Sequence, residues 1–281
     1  MTFAVISPSD TASFPTGPQR TQGASRIRFK RQDAATRLDR LFQSGAAKIR
    51  LPKVAPGQPP QAVLINTAGG LTGGDRMAIA AEVDAGARAL LTTQACERIY
   101  RSAGGDALVE TKLCIGEGAR LDWLPQETIL FNGARLRRRL EADLGQGATL
   151  LIVEATIFGR AARGETMSSG LFADRWRIRR QGRLAFADDL RFDWADAALL
   201  RRPAVLAGAG AMATILFLCD EPERHLAPLR AIISGSAGAS AWNGKLLARI
   251  ACESGAALRR VLSPALVELL DGAALPKIWQ I

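Results

Sequence analysis

Residues 109–124 read VETKLCIGEGARLDWL, and this stretch decides the fold class. From Val109 to Ile115 the side chains alternate between two faces, which is the period of a half-buried β-strand. A Glu-Gly-Ala turn at Gly118 then leads into a second apolar run. Glycine is typical of hairpin turns because it adopts positive φ without strain. The stretch therefore predicts a strand, a hairpin turn and a second strand.

The same plan occurs on both sides of this stretch. Residues 77–83 alternate before a turn at Gly86, and residues 136–144 alternate before a turn at Gly147. Gly118 follows Gly86 by 32 residues and precedes Gly147 by 29. Such spacing predicts stacked, solenoid-like layers of β-sheet. The alternative is an ordinary β-sandwich in which the glycines coincide, and in either case the chain is mainly β.

The second half of the chain predicts one more hairpin and two α-helices. The hairpin spans residues 176–186, and apolar residues at helical spacing follow Pro222. A second helical pattern covers residues 258–270, with Gly272 just past its end. Pro264 lies inside that pattern and predicts a kink or a break.

The domain organisation is simple. Residues 1–24 are rich in Ser, Thr, Pro and Gly and predict a flexible tail. Residues 25–281 predict a single β-rich domain, in which the Pro-rich residues 51–60 form a surface loop.

Composition limits the possible functions. Lys and Arg total 37 and Asp and Glu 27, so the net charge of +10 favours acidic partners. The four cysteines are far apart in sequence, which indicates reduced core cysteines rather than a zinc or disulfide framework. The N-terminus has no signal sequence, and no apolar run approaches the roughly 20 residues of a membrane span. We therefore expect a cytoplasmic protein that does not enter a membrane.

The most conspicuous motif is the glycine-rich segment at residues 69–75, Gly-Gly-Leu-Thr-Gly-Gly-Asp. It lacks the Gly-Lys-Ser/Thr of a P-loop, and a strand pattern follows it where a dinucleotide loop requires a helix. The glycines instead predict close approach of backbones, and Asp75 either caps the turn or contacts a ligand.

No catalytic set can be assembled from the sequence. His225 is the single histidine, so an imidazole-rich metal site cannot form within one chain, and we expect it at the surface. Four acidic residues lie beside apolar or glycine-rich segments without a spacing that fixes their geometry: Asp75, Glu127, Glu154 and Glu165.

Several motifs together resemble the family of the urease accessory protein UreD, also called UreH. They occur in the family's order from about Ser25 onward, and the ending Leu275-Pro-Lys-Ile-Trp279 also resembles that family's C-terminus. The motifs are Gly69-Gly-Leu-Thr-Gly-Gly-Asp75, Thr92-Thr-Gln94, Tyr100-Arg-Ser102, Trp123-Leu-Pro-Gln-Glu-Thr-Ile-Leu-Phe131, Gly159-Arg160 and Gly164-Glu165.

The resemblance implies a mainly-β fold with two helices and a role in loading nickel into urease without catalysis by this chain. It implies assembly with UreF and the GTPase UreG on apo-urease, and an internal route for nickel, which is handled transiently rather than bound as a cofactor. GTP chemistry then belongs to the partner, which agrees with the missing P-loop. Scarce histidine also suits transit better than storage, because oxygen ligands release nickel readily.

The resemblance also assigns candidate site residues. Asp75, Glu127 and Glu165 are candidates for the nickel path, with turn capping or buried hydrogen bonding as their alternative roles. Trp279 and Ile281 are candidates for partner binding. Thr93, Gln94, Tyr100 and Arg101 are expected to line the path or to be structural, and a structural role is favoured for Tyr100. The remaining motif residues are expected to be structural: Gly69, Gly70, Gly73, Gly74, Pro125, Gly159 and Arg160.

Two other functions stay open on the sequence alone. One is a small hydrolase or transferase that uses carboxylates, and the other is a basic module that binds nucleic acid. The arginines are spread along the whole chain and there is one tyrosine, so the chain lacks the usual features of a nucleic-acid binder. We therefore expect no nucleic-acid partner.

Overall fold

The computed structural model describes residues 19–160, 163–196, 198, 201–235 and 237–280. The mainly-β prediction is confirmed. In chain order the strands are β1 (Gln22–Gln32), β2 (Ala35–Gly45), β3 (Ala47–Arg50), β4 (Gln61–Asn66), β5 (Arg76–Val83), β6 (Arg88–Thr93), β7 (Glu97–Ile99), β8 (Ala107–Ile115), β9 (Arg120–Leu124), β10 (Thr128–Leu130), β11 (Arg135–Leu144), β12 (Thr149–Phe158), β13 (Leu171–Arg180), β14 (Arg183–Asp193), β15 (Ala211–Leu218), β16 (Ala237–Trp242) and β17 (Lys245–Cys252).

The strands form two facing sheets. The front sheet has the order β14-β13-β11-β8-β5-β1-β2, and the back sheet has the order β16-β17-β15-β12-β9-β6-β4-β3. In the back sheet β10 also pairs with β12, and β7 pairs with β10. In the front sheet, β1, β5, β8, β11 and β13 are parallel neighbours. In the back sheet, β4, β6, β9 and β12 are likewise parallel. The chain therefore winds between the sheets in stacked coils, as the solenoid-like prediction states.

The turns at Gly86, Gly118 and Gly147 are not hairpins, and that part of the prediction is wrong. Each turn carries the chain from the front sheet to the back sheet, so its two strands never pair with each other. The glycines do have positive φ, between 60° and 65°. The turns also hydrogen bond to one another: Gly86 N donates to Glu117 O, and Gly118 N to Gln146 O, both at 2.9 Å. We call this stack the glycine-turn edge.

A second glycine in two of these three turns is required by close packing between coils. A Cβ at Gly116 would lie 2.6 Å from Ala85 N, and one at Gly145 would lie 2.7 Å from Glu117 N. Real Cβ atoms do not approach backbone this closely, so a side chain at either position must push two coils apart.

Antiparallel additions complete both sheets. β13 and β14 form the predicted hairpin through Gln181 and Gly182, both with positive φ. β15, β17 and β16 extend the back sheet as an antiparallel group. The first strand begins at Gln22, three residues before the predicted start at Ser25, and residues 1–18 of the predicted tail lie outside the described ranges.

Two α-helices with defined bounds cover the outer face of the back sheet, as predicted: α1 (Leu226–Ile232) and α2 (Gly255–Leu269). Ser254 caps α2, its hydroxyl accepting a hydrogen bond from Ala257 N at 3.2 Å. Pro264 does not break α2. The reason is that the helix buries an apolar face of Leu258, Leu262 and Leu266 against the sheet, which outweighs one lost backbone hydrogen bond.

Two predictions about polar side chains are wrong. His225 is buried rather than exposed: its Nδ1 lies 3.1 Å from Glu268 Oε1 and its ring packs against Phe217. The four cysteines are free, but only Cys219 is buried and Cys114 is exposed. In the described ranges, no helix is long and apolar enough to cross a membrane.

The two kinds of turn glycine give a test of the coil packing. We expect Gly118→Ala to lower the free energy of unfolding by about 1 kcal/mol, because alanine tolerates positive φ poorly but meets no other atom there. Gly116→Ala should cost about 3 kcal/mol, because its Cβ meets the backbone of the next coil. Urea unfolding of both variants checks this, and equal or reversed costs would contradict the packing argument.

Candidate functional site

Most of the family-like motif residues lie on the edge of the solenoid opposite the glycine turns. Here four connections return the chain from the back sheet to the front sheet, at residues 67–75, 94–106 (which include β7), 125–134 (which include β10), and 159–160 with 163–170. They stack through backbone hydrogen bonds: Leu71 N to Arg98 O at 2.8 Å, Phe131 N to Ile99 O at 2.9 Å and Gly159 N to Leu130 O at 2.7 Å. We call this surface the motif edge. Segments far apart in sequence therefore form one continuous region.

The glycines of the first loop allow it to pack against the second. A Cβ at Gly70 would lie 2.4 Å from the Tyr100 ring, and one at Gly73 would lie 2.0 Å from Ser102 Oγ. Tyr100 Oη donates to Gly69 O at 3.1 Å. The predicted close approach of backbones is therefore the packing of two neighbouring loops.

Asp75 holds this loop in place. Its Oδ2 accepts a hydrogen bond from Thr72 N and its Oδ1 accepts one from Thr21 N, both at 2.8 Å. The side chain is buried. Asp75 thus caps the turn and fastens the segment before β1 to the motif edge, which is the structural alternative given for it above.

Glu165 lies in a shallow surface cleft of the motif edge. Its carboxylate pairs with Arg160, and its Oε1 accepts a hydrogen bond from Asn132 N at 3.0 Å. Hydrogen bonding from Arg160 lowers the pKa of Glu165, so the carboxylate is charged at neutral pH. The Arg160 guanidinium also lies 4.2 Å from the centroid of the Phe131 ring.

A cavity of about 250 Å³, lined by both polar and apolar side chains, lies between the two sheets beneath the motif loops. Its lining combines residues of both sheets with the loop after β6 and includes Ser25, Asn66, Thr93, Gln94, Cys96 and Glu97. Ser25 is only 1% exposed, and no described residue offers its Oγ a hydrogen-bond partner. An unpaired buried hydroxyl is costly, so this cavity suits a polar occupant such as water or a cation.

Glu97 is the acidic group of this cavity. Asn66 Nδ2 donates to its two carboxyl oxygens at 3.0 Å and 3.2 Å. Burial raises the pKa of Glu97 to about 7, because the charged form loses its hydration. Near neutral pH the carboxyl group is therefore present in both protonation states.

Cys96 joins the cavity to a second buried group, Glu127. Its Sγ donates to Glu127 Oε2 at 3.3 Å, and burial followed by the charge of Glu127 raises the pKa of the thiol to about 11. Arg259 of α2 neutralises Glu127, with Nη1 at 2.9 Å from Oε1. Glu127 thus ties the motif edge to the C-terminal helix.

Trp279 is part of the same cluster and lies in the core. Its indole is 4% exposed, stacks under Arg259, and donates from Nε1 to Leu124 O at 3.1 Å and to Thr92 Oγ1 at 3.2 Å. The structure therefore places the Trp279 side chain against the back sheet rather than on a surface offered to a partner. Ile281, the other candidate for partner binding, lies outside the described residues.

The remaining motif residues support the loops. Thr93 Oγ1 accepts a hydrogen bond from Gln126 N at 2.9 Å, and Gln94 borders the cavity. Pro125 is buried. Gly159 has a φ of 77°, and a Cβ there would lie 2.7 Å from Glu165 O. Gly74 has a φ of 91°, while Arg101 is exposed.

Glu154 belongs to a buried ionic cluster away from this cavity. Arg138 of the front sheet pairs with Glu154 of the back sheet and lies 2.6 Å from Asp174. Trp123 Nε1 also donates to Glu154 at 2.9 Å. Burial raises the pKa of Glu154.

The structure does not gather the three predicted nickel-path carboxylates at one place. The cavity lining includes neither Asp75, Glu127 nor Glu165, and only Glu127 reaches it, through Cys96. Sequence reasoning missed Glu97, although it lies between the Thr92–Gln94 and Tyr100–Ser102 motifs. In the part of the chain that the structure describes, no three His, Cys, Asp or Glu side chains form a cluster able to hold a metal ion.

Comparison with known proteins identifies the family. The family model described as UreD urease accessory protein matches residues 21–280. The chain belongs to the UreD family. It is 49% identical over 272 residues to a urease accessory protein UreD of Rhizobium leguminosarum bv. viciae, covering 96% of this chain and 99% of that protein. It is also 51% identical over 271 residues to a UreD of Brucella suis, covering 94% and 96% respectively. The family resemblance seen in the motifs is therefore confirmed.

The raised pKa of Glu97 predicts a pH dependence of stability. The ordinary value is 4.5, so between about pH 4.5 and 7 the folded protein keeps a proton that the unfolded chain releases. The stability that the parent has with Glu97 protonated is fully present below this pH window. It is lost as the pH rises through 7, where the buried carboxyl group ionises. Glu97→Gln cannot ionise, so it should be more stable than the parent at pH 8 by about 3 kcal/mol, with little difference near pH 4.5.

Urea unfolding at several pH values measures this difference. Glu117→Gln, which alters an exposed glutamate on the glycine-turn edge, is the matched control. A Glu97→Gln profile parallel to that of the parent would show that Glu97 titrates normally.

Proposed function

We propose that this UreD-family protein is a non-catalytic scaffold of urease maturation that docks on apo-urease with UreF and UreG in the cytoplasm. We also propose that nickel crosses it through the cavity beneath the motif edge. Family membership supports the maturation role, and the cavity is the observation that supports the route. It contains polar groups, lies between the sheets and ends beneath the loops that carry the family motifs.

The donors of the cavity suit brief contact with nickel. Glu97, Asn66 and Thr93 offer oxygen, which binds a divalent cation more weakly than imidazole or thiolate does. Cys96 keeps its proton because the pKa of the thiol is about 11, and a protonated thiol is a poor metal ligand. A cation entering here would meet one carboxylate, several neutral groups and the positive charges of Lys48 and Arg98, so it could leave again.

This proposal moves the nickel path from the carboxylates chosen by sequence. Asp75 is engaged by two backbone N–H groups and Glu165 by Arg160. Glu127 is held by Arg259 at the cavity wall. Glu97 is therefore the residue proposed to contact nickel in transit, and the protonated Cys96 separates it from Glu127.

Replacing the cavity carboxylate tests the route. We expect Glu97→Gln to fold and to assemble with UreF and apo-urease, but to slow nickel-dependent urease activation by about tenfold, because the cation loses the one carboxylate among the described residues of the cavity lining. The measurement is urease activity against time after nickel addition, with complex formation followed by gel filtration. Glu117→Gln serves again as the control. Activation by Glu97→Gln at the parent rate would remove Glu97 from the route.

We further propose that GTP is bound and hydrolysed by the partner UreG and not by this chain. The glycine-rich loop supports this, because Tyr100 and Ser102 occupy the space beside its glycines Gly70 and Gly73. Calorimetric titration of the isolated protein with GTP should give no binding in the micromolar range. Micromolar affinity in a sample free of UreG would contradict the proposal.

A further inference from the structure

The outer surface of the motif edge carries arginines without acidic partners. Arg98, Arg101 and Arg163 are exposed, and in the described ranges no carboxylate lies within ion-pair distance of any of them. Of the nearby acids, Glu97 interacts with the charge of Arg98 from beyond ion-pair distance. Glu165 is paired with Arg160, and Asp106 is shared by two further arginines.

An ordered aromatic centre lies among these arginines. Tyr100 is 38% exposed, and its ring meets the Phe131 ring edge-on with centroids 5.0 Å apart. Its hydroxyl is fixed on Gly69 O, and Arg160 covers the other ring. The cleft that these residues line encloses about 470 Å³. Tyrosine and arginine are the residues most enriched at binding hot spots, and fixed side chains lose little entropy on binding.

The same surface borders the mouth of the internal cavity. Arg98 and Gly69 both line the cavity, and Tyr100 packs on the backbone of the loop that contains Gly69. A partner seated on the aromatic centre would therefore lie next to the cavity opening.

We propose that the motif edge binds an acidic segment of a protein partner, with Tyr100 and Phe131 as its apolar centre. Arg98, Arg101 and Arg163 pair with the partner's carboxylates. An acidic partner is chosen because its charge complements that of the exposed arginines. The proposal rests on the proposed function, because the partner is taken to belong to the nickel-loading assembly. The carboxylates of such a segment would also stand beside the opening through which a cation passes.

A nucleic acid is the competing occupant of a basic surface. Stacking platforms for single strands use successive exposed aromatics along a basic groove. Here one exposed aromatic ring is packed edge-on against a second ring, and Arg160 occupies the face of that second ring. The geometry favours a compact protein contact.

Charge reversal tests this surface. Arg101→Glu and Arg163→Glu are compared with Arg183→Glu, which makes the same charge change at an exposed position of β14 near the glycine-turn edge. Binding of the full-length variants to purified UreF and to purified apo-urease is measured separately by biolayer interferometry at about 50 mM and about 200 mM salt. Melting temperatures confirm folding, and Arg163, on an exposed loop, is the position least needed for packing.

We expect both motif-edge variants to bind one of the two proteins about tenfold more weakly or worse, with a smaller salt dependence, while Arg183→Glu binds like the parent. Parent-like binding of both variants to both proteins would overturn the proposal. The proposal would also be overturned if both variants lost binding to a single-stranded RNA probe while their binding to UreF and apo-urease stayed intact.

The outcome is separable from that of the nickel route. Normal docking by Arg101→Glu with slow activation by Glu97→Gln would reject the docking surface alone. Weak docking by Arg101→Glu with normal activation by Glu97→Gln would reject the route alone.

Discussion

Parallel, in-register stacking of the coils is the constraint on which the rest of this structure depends. Each coil hydrogen bonds to the next along both sheets and along both edges, so a residue is fixed by its equivalent in the neighbouring coil. The glycine-turn edge leaves no space for a side chain at Gly116 or Gly145, because both lie against the backbone of the neighbouring coil. Variation in length is accommodated at the motif edge. The loop at residues 94–106 is longer than the one at 125–134, which accounts for the unequal spacing of the turn glycines. Sequence variety, and with it the candidate site, is therefore confined to one edge.

The interior between the sheets contains charge as well as apolar side chains. Arg138 crosses from the front sheet to Glu154 on the back sheet and also pairs with Asp174, and Trp123 supplies a further hydrogen bond. A buried ion pair gains little over an apolar contact of the same size, but losing one partner costs about 3–5 kcal/mol. The cluster therefore contributes mainly to the specificity of the strand register. A shifted register in which Arg138 does not face these carboxylates would be destabilised. A one-residue slip would turn Arg138 to the outside.

The sequence predicted those features that depend on local pattern. Alternation gave the strands, and the turn glycines gave the stacked layers. The hairpin interpretation of Gly118 failed because positive φ is common to hairpins and to turns between sheets, and only the distant pairing partners distinguish them. Burial was the other failure. His225 follows the charged Arg224 in sequence, which suggested exposure, but α2 covers its side chain. The cavity beside Glu97 forms only where two sheets and a loop come together. Neither environment is encoded near the residue itself.

The cavity and the outer surface of the motif edge have opposite electrostatic properties. The stacking of the coils places both at the same edge of the protein. Inside, the cavity is lined by one carboxyl group whose charge is weakened by burial, by a thiol that keeps its proton, and by Lys48 and Arg98. A cation is attracted only moderately by such an arrangement. Outside, unpaired arginines repel cations and attract carboxylates. A free cation is therefore disfavoured at the bare surface, and an acidic partner would change the sign of the field beside the opening. Under the proposed function, docking and cation entry are then linked through charge alone, without any movement of the fold.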